Sequence, residues 1–168
     1  HQEDMCQSLS MKPQFKYQSE GGPSALDVIQ HIEANSSNPQ IDKDRFVDAL
    51  IFNFLIGGTD AHAKNYSLLL AAGGQVRLAP LYDIASIFHY ERLLHPTKTR
   101  LAMKIGGKYR ISKVGLEAWK KAAREWHIKE DDLIERVIGL AQKLLSGIPE
   151  VSNDLRVGGL AHPIVARV

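Results

Sequence analysis

The stretch Thr59-Asp-Ala-His-Ala-Lys-Asn65, followed by Asp83, is the part of the chain from which its fold can be worked out. It places Asp60 five positions before Asn65, and Asp83 eighteen positions after Asn65. A helix is predicted just before the stretch and ends at two glycines, so the stretch itself is predicted to be a loop with a rigid base. A hairpin is predicted between Asn65 and Asp83, which would carry the chain out and return it to the same place.

These three residue types, in this order, are the ones that phosphoryl transfer by a protein kinase requires. A carboxylate that is free of metal orients the acceptor hydroxyl, whereas an amide oxygen and a second carboxylate bind Mg²⁺ through oxygen. The spacing therefore predicts that Asp60 is the catalytic base and that Asn65 and Asp83 are metal ligands. Each residue taken singly could be a turn or cap residue, and the spacing of all three is what favours catalysis.

Two further residues of the loop are candidates for the site. Lys64 is predicted to be a catalytic and nucleotide-binding residue that reaches the transferred phosphate, with a solvated surface lysine as the alternative. His62, like Lys64 and Asp83, is predicted to be a nucleotide-binding residue. We expect His62 to hold the loop by a hydrogen bond to backbone or carboxylate. Zinc is not expected, because no further His or Cys lies near Asp60 and His62 in the sequence.

Periodicity and turn residues predict an α+β fold in which helices predominate. The helix before the loop is apolar nearly all round, which indicates that it is the central buried element. The predicted helices cover residues 3–9, 25–33 (capped by Ser24), 45–56 (begun by Asp42 or Asp44), 113–127 (capped by Ser112) and 131–145 (ended by Gly147). The predicted hairpins pair residues 66–70 with 75–79, and residues 101–105 with 108–111.

Composition limits the remaining possibilities. The chain has 168 residues, of which 44% are hydrophobic, enough for the core of one domain or one lobe. A net charge of +2 is too weak to argue for binding to nucleic acid or to an anionic membrane. The single cysteine, Cys6, excludes an internal disulfide and favours a cytoplasmic location. No apolar run is long enough to span a membrane, and no signal peptide is visible.

Several segments of the chain, in order from its start to about residue 108, resemble the HipA serine/threonine kinases. The two that carry most of the resemblance are Ile56-Gly-Gly-Thr-Asp-Ala-His-Ala-Lys-Asn-Tyr-Ser67 and Leu78-Ala-Pro-Leu-Tyr-Asp-Ile84. The others are His1-Gln-Glu-Asp-Met-Cys-Gln7, Lys16-Tyr17, Gly21-Gly-Pro23 and Leu101-Ala-Met-Lys-Ile-Gly-Gly-Lys108. The helices that follow match that family only in type.

The resemblance implies a mostly helical C-terminal lobe of a kinase-like fold, here assigned to residues 1–150, with a weakly patterned tail over residues 151–168. It implies that Asp60 is the catalytic base and that Asn65 and Asp83 hold Mg²⁺ for ATP. HipA proteins are bacterial toxins held by HipB, a small helix-turn-helix antitoxin, so DNA would be contacted only indirectly and a membrane not at all. Their protein substrates include aminoacyl-tRNA synthetases, whose phosphorylation slows translation and favours persistence.

Three departures from common protein kinases bear on the function. Thr59 stands where those enzymes have Arg before the catalytic Asp, so control through a phosphorylated activation loop is not expected. Ile84-Ala85 follows the metal-binding Asp instead of Phe-Gly. The chain also has no glycine-rich phosphate loop followed by a strand lysine, and these parts are assigned to an N-terminal lobe outside it. The isolated lobe is therefore expected to be inactive.

Three other functions stay open at the level of sequence. The chain could be a non-catalytic lobe that docks an antitoxin or another partner. It could be a metal-dependent hydrolase that uses Asp60, His62 and Asp83. It could also serve a lipid or small-molecule kinase, because the surfaces that select the acceptor cannot be read from the sequence.

Overall fold

A long, largely buried helix, α3 (Pro39–Ile56), packs against the helix before it, the last helix and one strand of the first hairpin. The computed structural model describes residues 1–90, 95 and 97–153. The other helices are α1 (Met5–Ser8), α2 (Ala25–Asn35), α4 (Leu116–Glu125) and α5 (Glu130–Asn153). The strands are β1 (Gln2–Asp4), β2 (Ser67–Leu70), β3 (Val76–Leu78), β4 (Arg100–Ile105) and β5 (Lys108–Arg110). The predicted α+β fold with mainly helical content is thereby confirmed.

The helix α3 begins earlier than the sequence predicted. Pro39 occupies its first turn, where a missing N–H costs nothing and the fixed φ suits a helix. Asp42 therefore does not start the helix but lies inside it, fully buried. The predicted end is confirmed, because Gly57 adopts a left-handed φ of 68° and its N–H bonds back to the last turn.

The first sheet contains one strand that the sequence did not predict. The strands β2 and β3 form the expected hairpin, and β1 adds to the outer edge of β2, with Glu3 opposite Leu68. Residues 3–9 were predicted to be one helix, but the first of them pair with β2 and only Met5–Ser8 is helical. Backbone hydrogen bonds to a strand more than sixty residues away outweigh a weak local preference for helix.

A buried carboxylate joins this sheet to α3. Asp42 accepts hydrogen bonds from Leu78 N–H (2.9 Å), the Ser36 hydroxyl (2.7 Å) and two guanidinium nitrogens of Arg77 (3.0 and 3.1 Å). Burial alone would raise the pKa of Asp42, but the hydrogen bonds from Arg77, Ser36 and Leu78 outweigh it and hold that pKa below its ordinary value. The hairpin is therefore attached to the central helix at Asp42, and Arg45 of the same helix adds a hydrogen bond to the Leu78 carbonyl oxygen at 3.0 Å.

The second hairpin, β4–β5, lies where it was predicted, but the two C-terminal helices differ in their ends. Gly115, not Ser112, precedes α4, and it makes no side-chain cap. The helix α5 continues through Gly147, the predicted stop, because one glycine inside a long helix costs only about 1 kcal/mol. Residues 151–153 of the predicted tail belong to α5, and residues 154–168 lie outside the described residues.

Ion pairs and aromatic contacts attach the C-terminal helices to α3. Arg136 on α5 donates to the carboxylates of Asp44 (2.6 Å) and Asp48 (2.8 Å) on α3. The indole of Trp119 packs edge-on against Phe54, with ring centroids 5.4 Å apart. None of the described helices is long and apolar enough to cross a membrane.

Replacing Asp42 with alanine is expected to lower the free energy of unfolding by about 3–5 kcal/mol, since it leaves buried donors without an acceptor. Urea unfolding of the two proteins measures the change. Glu135→Ala, which removes an exposed carboxylate from the middle of α5, should change the value by less than about 0.5 kcal/mol. Equal effects of the two substitutions would contradict the anchoring role of Asp42.

The low pKa of Asp42 also predicts a dependence of stability on pH. A carboxyl whose pKa is lower in the folded state stabilises the fold above its unfolded pKa of about 3.9, and that stabilisation is lost as the pH falls through the folded pKa. Asp42→Asn should therefore make urea midpoints fall less steeply between about pH 5 and pH 3. An unchanged slope would show that the folded and unfolded pKa values of Asp42 are the same.

Candidate functional site

The loop that carries the predicted site leaves the end of α3 through a tight turn. The N–H of Gly58 bonds to the Asn53 carbonyl oxygen (2.6 Å), and a Cβ atom on Gly58 would lie 2.3 Å from the Asn53 amide oxygen. Only glycine fits so close to another side chain. The backbone at Gly58 therefore sets the direction in which the loop leaves the helix. The polar residues of the site follow later in the chain.

Asn65 and Asp83 meet as the sequence predicted. Asn65 is buried at the end of a short 3₁₀ turn (Ala63–Asn65), separated from β2 by one residue, and Asp83 follows β3. The Asn65 amide nitrogen donates to the Asp83 carboxylate at 2.6 Å, and the Asn65 amide oxygen accepts from the His62 backbone N–H at 3.0 Å. The hairpin between them thus places an amide and a carboxylate in direct contact.

The segment around Asp83 is held from both sides. The Tyr82 hydroxyl donates to the Lys64 carbonyl oxygen at 2.7 Å, which attaches the segment to the loop. The Ser86 hydroxyl donates to the Ile56 carbonyl oxygen at 2.5 Å, which attaches it to the end of α3. Asp83 itself adopts a left-handed φ of 55°, a conformation that Asp and Asn tolerate better than most residues.

Asp60 lies at the exposed tip of the same loop. Its carboxylate accepts a hydrogen bond from the Tyr17 hydroxyl at 2.6 Å, across 43 residues of sequence. That bond, helped by partial burial, raises the pKa of Tyr17 to about 12, so the phenol stays protonated and acts as a donor. One carboxylate oxygen of Asp60 is therefore engaged by Tyr17.

His62 is buried and within electrostatic reach of both Asp60 and Asp83. Burial and the charge of Lys16 lower the pKa of its imidazole, while Asp60 and Asp83 raise it, and the net result is a lowered pKa. The ring nitrogen Nδ1 is buried without a hydrogen-bond partner among the described residues. The backbone N–H of His62 holds the loop instead, by its bond to Asn65.

Lys64 points toward the start of the chain. Its ammonium lies 3.8 Å from the Asp4 carboxylate, and both side chains are partly exposed. An exposed pair of this kind contributes little to stability and leaves the lysine free to exchange partners. A contact between Lys64 and a transferred phosphate stays a prediction.

The residue types suit a hard cation, although the amide is turned the wrong way for one. Asn65 and Asp83 offer two oxygen ligands, and Mg²⁺ in such sites commonly takes its other ligands from phosphate and water. Because the Asn65 nitrogen faces Asp83, a cation bound by both would replace that hydrogen bond and require the amide to turn. Within residues 1–90, 95 and 97–153, no three His, Cys, Asp or Glu side chains form a group that could hold a metal.

Two residues of the site were missed by the sequence reasoning. Lys16-Tyr17 was noticed only as part of a family resemblance, and nothing in its spacing from Asp60 predicts a contact. Tyr82 had no assigned role, yet its hydroxyl contacts both Lys64 and Ser67. A tyrosine directly before the predicted metal-binding Asp was the one available signal, and it was too weak to use.

Comparisons with known proteins place the chain in a family. The sequence matches the family described as HipA-like C-terminal domain over residues 1–148. "Putative kinase Y4mE" of Sinorhizobium fredii is 34% identical over 154 residues, which are 92% of this chain and 36% of that protein. "Serine/threonine-protein kinase toxin HipA" of Shewanella oneidensis is 29% identical over 119 residues, which are 65% of this chain and 26% of that protein.

A solved structure shares the fold. It is the Shewanella oneidensis MR-1 toxin–antitoxin complex of HipA, HipB and operator DNA, with a TM-score of 0.84 at 24% identity. The match covers 99% of this chain and 42% of the solved chain. The chain thus spans about a quarter to two fifths of the length of the proteins it matches. The sequence match and the shared fold together show that this chain belongs to the HipA-like C-terminal domain family.

Proposed function

We propose that this chain supplies the catalytic base and the metal ligands of an ATP- and Mg²⁺-dependent serine/threonine protein kinase of the HipA type. The observation that carries the proposal is the 2.6 Å contact between Asn65 and Asp83, at the end of the loop whose tip carries Asp60. The names of the relatives, which are kinases or a kinase toxin, support the same reaction class.

Each polar residue has a distinct role in this proposal. Asp60 orients the serine or threonine hydroxyl of the acceptor and can accept its proton, because it is exposed at the loop tip. Asn65 and Asp83 hold the cation, with the amide turned so that its oxygen faces Asp83. Lys64 offsets negative charge on the transferred group once it leaves Asp4. Mg²⁺·ATP, when bound there, supplies the phosphoryl group and neutralises charge on its oxygens.

The nucleotide needs more than this lobe offers. We assign residues 1–150 to the catalytic lobe, and we assign the glycine-rich loop and its lysine to a second lobe outside the chain. Two oxygen ligands alone bind Mg²⁺ weakly, because the ion normally depends on phosphate oxygens to complete its shell. The proposal therefore assigns catalysis to the complete protein and not to the isolated lobe.

The partners follow from the same family. A HipB-like antitoxin is proposed because the solved structure that shares this fold is a complex of HipA with HipB and operator DNA. DNA would then be contacted through the antitoxin. The protein substrate is proposed to be translation-related, with an aminoacyl-tRNA synthetase as the example, and that choice rests only on the family resemblance.

In the complete protein, Asp60→Asn and Asp83→Asn should each abolish phosphoryl transfer. Both changes keep the size of the side chain, and asparagine tolerates the left-handed backbone of residue 83, so the fold should be retained. Transfer from radiolabelled ATP measures the activity, and circular dichroism checks the fold. Ordinary turnover in either variant, with the fold intact, would refute the proposal.

Binding of Mg²⁺·ATP separates a kinase from a lobe that only docks a partner. In calorimetry the isolated chain should show weak or no binding, whereas the complete protein should bind, and Asp83→Asn should lower its affinity at least tenfold. That factor corresponds to about 1.4 kcal/mol, less than one hydrogen bond or ion contact to a charged group. If this lobe only docks a partner, Asp83→Asn should leave the affinity of the complete protein for Mg²⁺·ATP unchanged.

A further inference from the structure

The segment around Tyr17 is folded tightly enough to act as a support. The Tyr17 carbonyl oxygen accepts hydrogen bonds from the N–H groups of Glu20 and Gly22, both at 3.0 Å. A Cβ atom on Gly22 would lie 2.2 Å from the Phe15 carbonyl oxygen, so the backbone closes on itself at that point. The segment over residues 15–22 is thus a fixed turn, in spite of its loop composition.

One backbone and one side-chain hydrogen bond attach this turn to the rest of the molecule on either side of Tyr17. The Lys16 carbonyl oxygen accepts from Ala63 N–H at 3.2 Å, inside the loop that carries the site. The Gln18 amide oxygen accepts from Lys104 N–H at 2.7 Å, on β4. The residue between these two anchors has little freedom to move away from the loop.

The side chain of Tyr17 makes its main polar contact with the proposed catalytic base. Its hydroxyl donates to one carboxylate oxygen of Asp60 at 2.6 Å, and its ring meets His62 edge-on, with centroids 5.0 Å apart. Among the described residues, no other side chain forms a hydrogen bond with the Asp60 carboxylate. An exposed carboxylate with one strong donor is oriented by that donor alone.

We propose that Tyr17 is a positioning residue for phosphoryl transfer: its hydroxyl holds one oxygen of Asp60 so that the other oxygen faces the acceptor hydroxyl. The inference rests on the proposed function, because it takes Asp60 to be the base. A carboxylate that must meet a hydroxyl at hydrogen-bond distance loses efficiency when it samples other rotamers. Tyr17 is only half-buried. If its hydroxyl had a purely structural role, its removal would cost one hydrogen bond and would leave kcat unchanged.

Kinetics of the complete protein test the proposal. Tyr17→Phe should lower kcat at least tenfold while KM for ATP changes less than twofold, because the hydroxyl orients the base and does not touch the nucleotide. The matched control is Tyr109→Phe on β5, whose ring lies under Arg100 and Lys104 and which makes no contact with Asp60. The control should keep the kcat of the unaltered protein.

A spectroscopic measurement on the 168-residue chain tests the contact without any activity. In protein labelled with ¹³C at Cζ of its five tyrosines, Asp60→Asn should shift the Tyr17 signal, because the phenol loses its charged acceptor. The signal should vanish in Tyr17→Phe, which assigns it, and it should stay unchanged in Glu135→Ala. No shift in Asp60→Asn would show that the hydrogen bond is not formed, and would overturn the inference.

The two measurements separate the inference from the function on which it rests. Loss of transfer in Asp60→Asn together with full kcat in Tyr17→Phe would leave the kinase proposal standing and overturn the role of Tyr17. Full transfer in Asp60→Asn would overturn both. A tenfold or larger loss of kcat in Tyr17→Phe, with the tyrosine signal shifted in Asp60→Asn, supports the positioning role.

Discussion

The buried carboxylate of Asp42 is the constraint on which the rest of this structure depends. It accepts hydrogen bonds from the backbone of β3, from a guanidinium on the same strand and from the turn before α3. A charge taken out of water must be compensated by donors at defined distances, so the sheet cannot slide along the helix without exposing an unpaired group. Asn65 precedes the hairpin and Asp83 follows it, so this attachment fixes where the two side chains meet, together with the hydrogen bonds of Tyr82 and Ser86.

The site itself is held together by exchangeable bonds. Asn65 and Asp83 are hydrogen-bonded to each other, Lys64 lies beside Asp4, and Tyr17 bonds to Asp60. The first two contacts occupy groups that the proposed reaction would need for a cation and a phosphate. The groups proposed to bind the cation and the phosphate are thus paired within the protein, and the proposed ligands would replace these partners. The contact between Tyr17 and Asp60 would persist in the proposed reaction. The phenol donates a hydrogen bond that fixes the orientation of the proposed base.

The sequence predicted the parts of this site that depend on local order and missed those that depend on distant contacts. The spacing of Asp60, Asn65 and Asp83, with a hairpin between the last two, was enough to bring an amide and a carboxylate together. Nothing local could reveal that Tyr17 reaches Asp60 across 43 residues, because that contact depends on how two loops are packed. The pairing of β1 with β2 was missed for the same reason.

The ends of helix α3 show the same difference between local signals and distant contacts. The left-handed glycine after α3 is a local device, and its position was predicted correctly. The start of the same helix was placed too late, because Asp42 and Asp44 look like caps when only their neighbours are considered. In the fold, Asp42 is an acceptor for the sheet and Asp44 an acceptor for Arg136 on α5. Acidic residues near a helix start thus served tertiary contacts, which sequence order does not show.

The backbone of Asp83 restricts how this protein can change over evolutionary time. Its φ of 55° suits glycine, asparagine and aspartate, whereas the metal-ligand role proposed for it would restrict the choice to acidic residues. Glutamate satisfies the second demand but not the first, and glycine satisfies the first but not the second. Aspartate is the one amino acid that meets both. Replacement by asparagine or glycine would keep the turn and lose the charge, whereas glutamate would keep the charge and strain the turn.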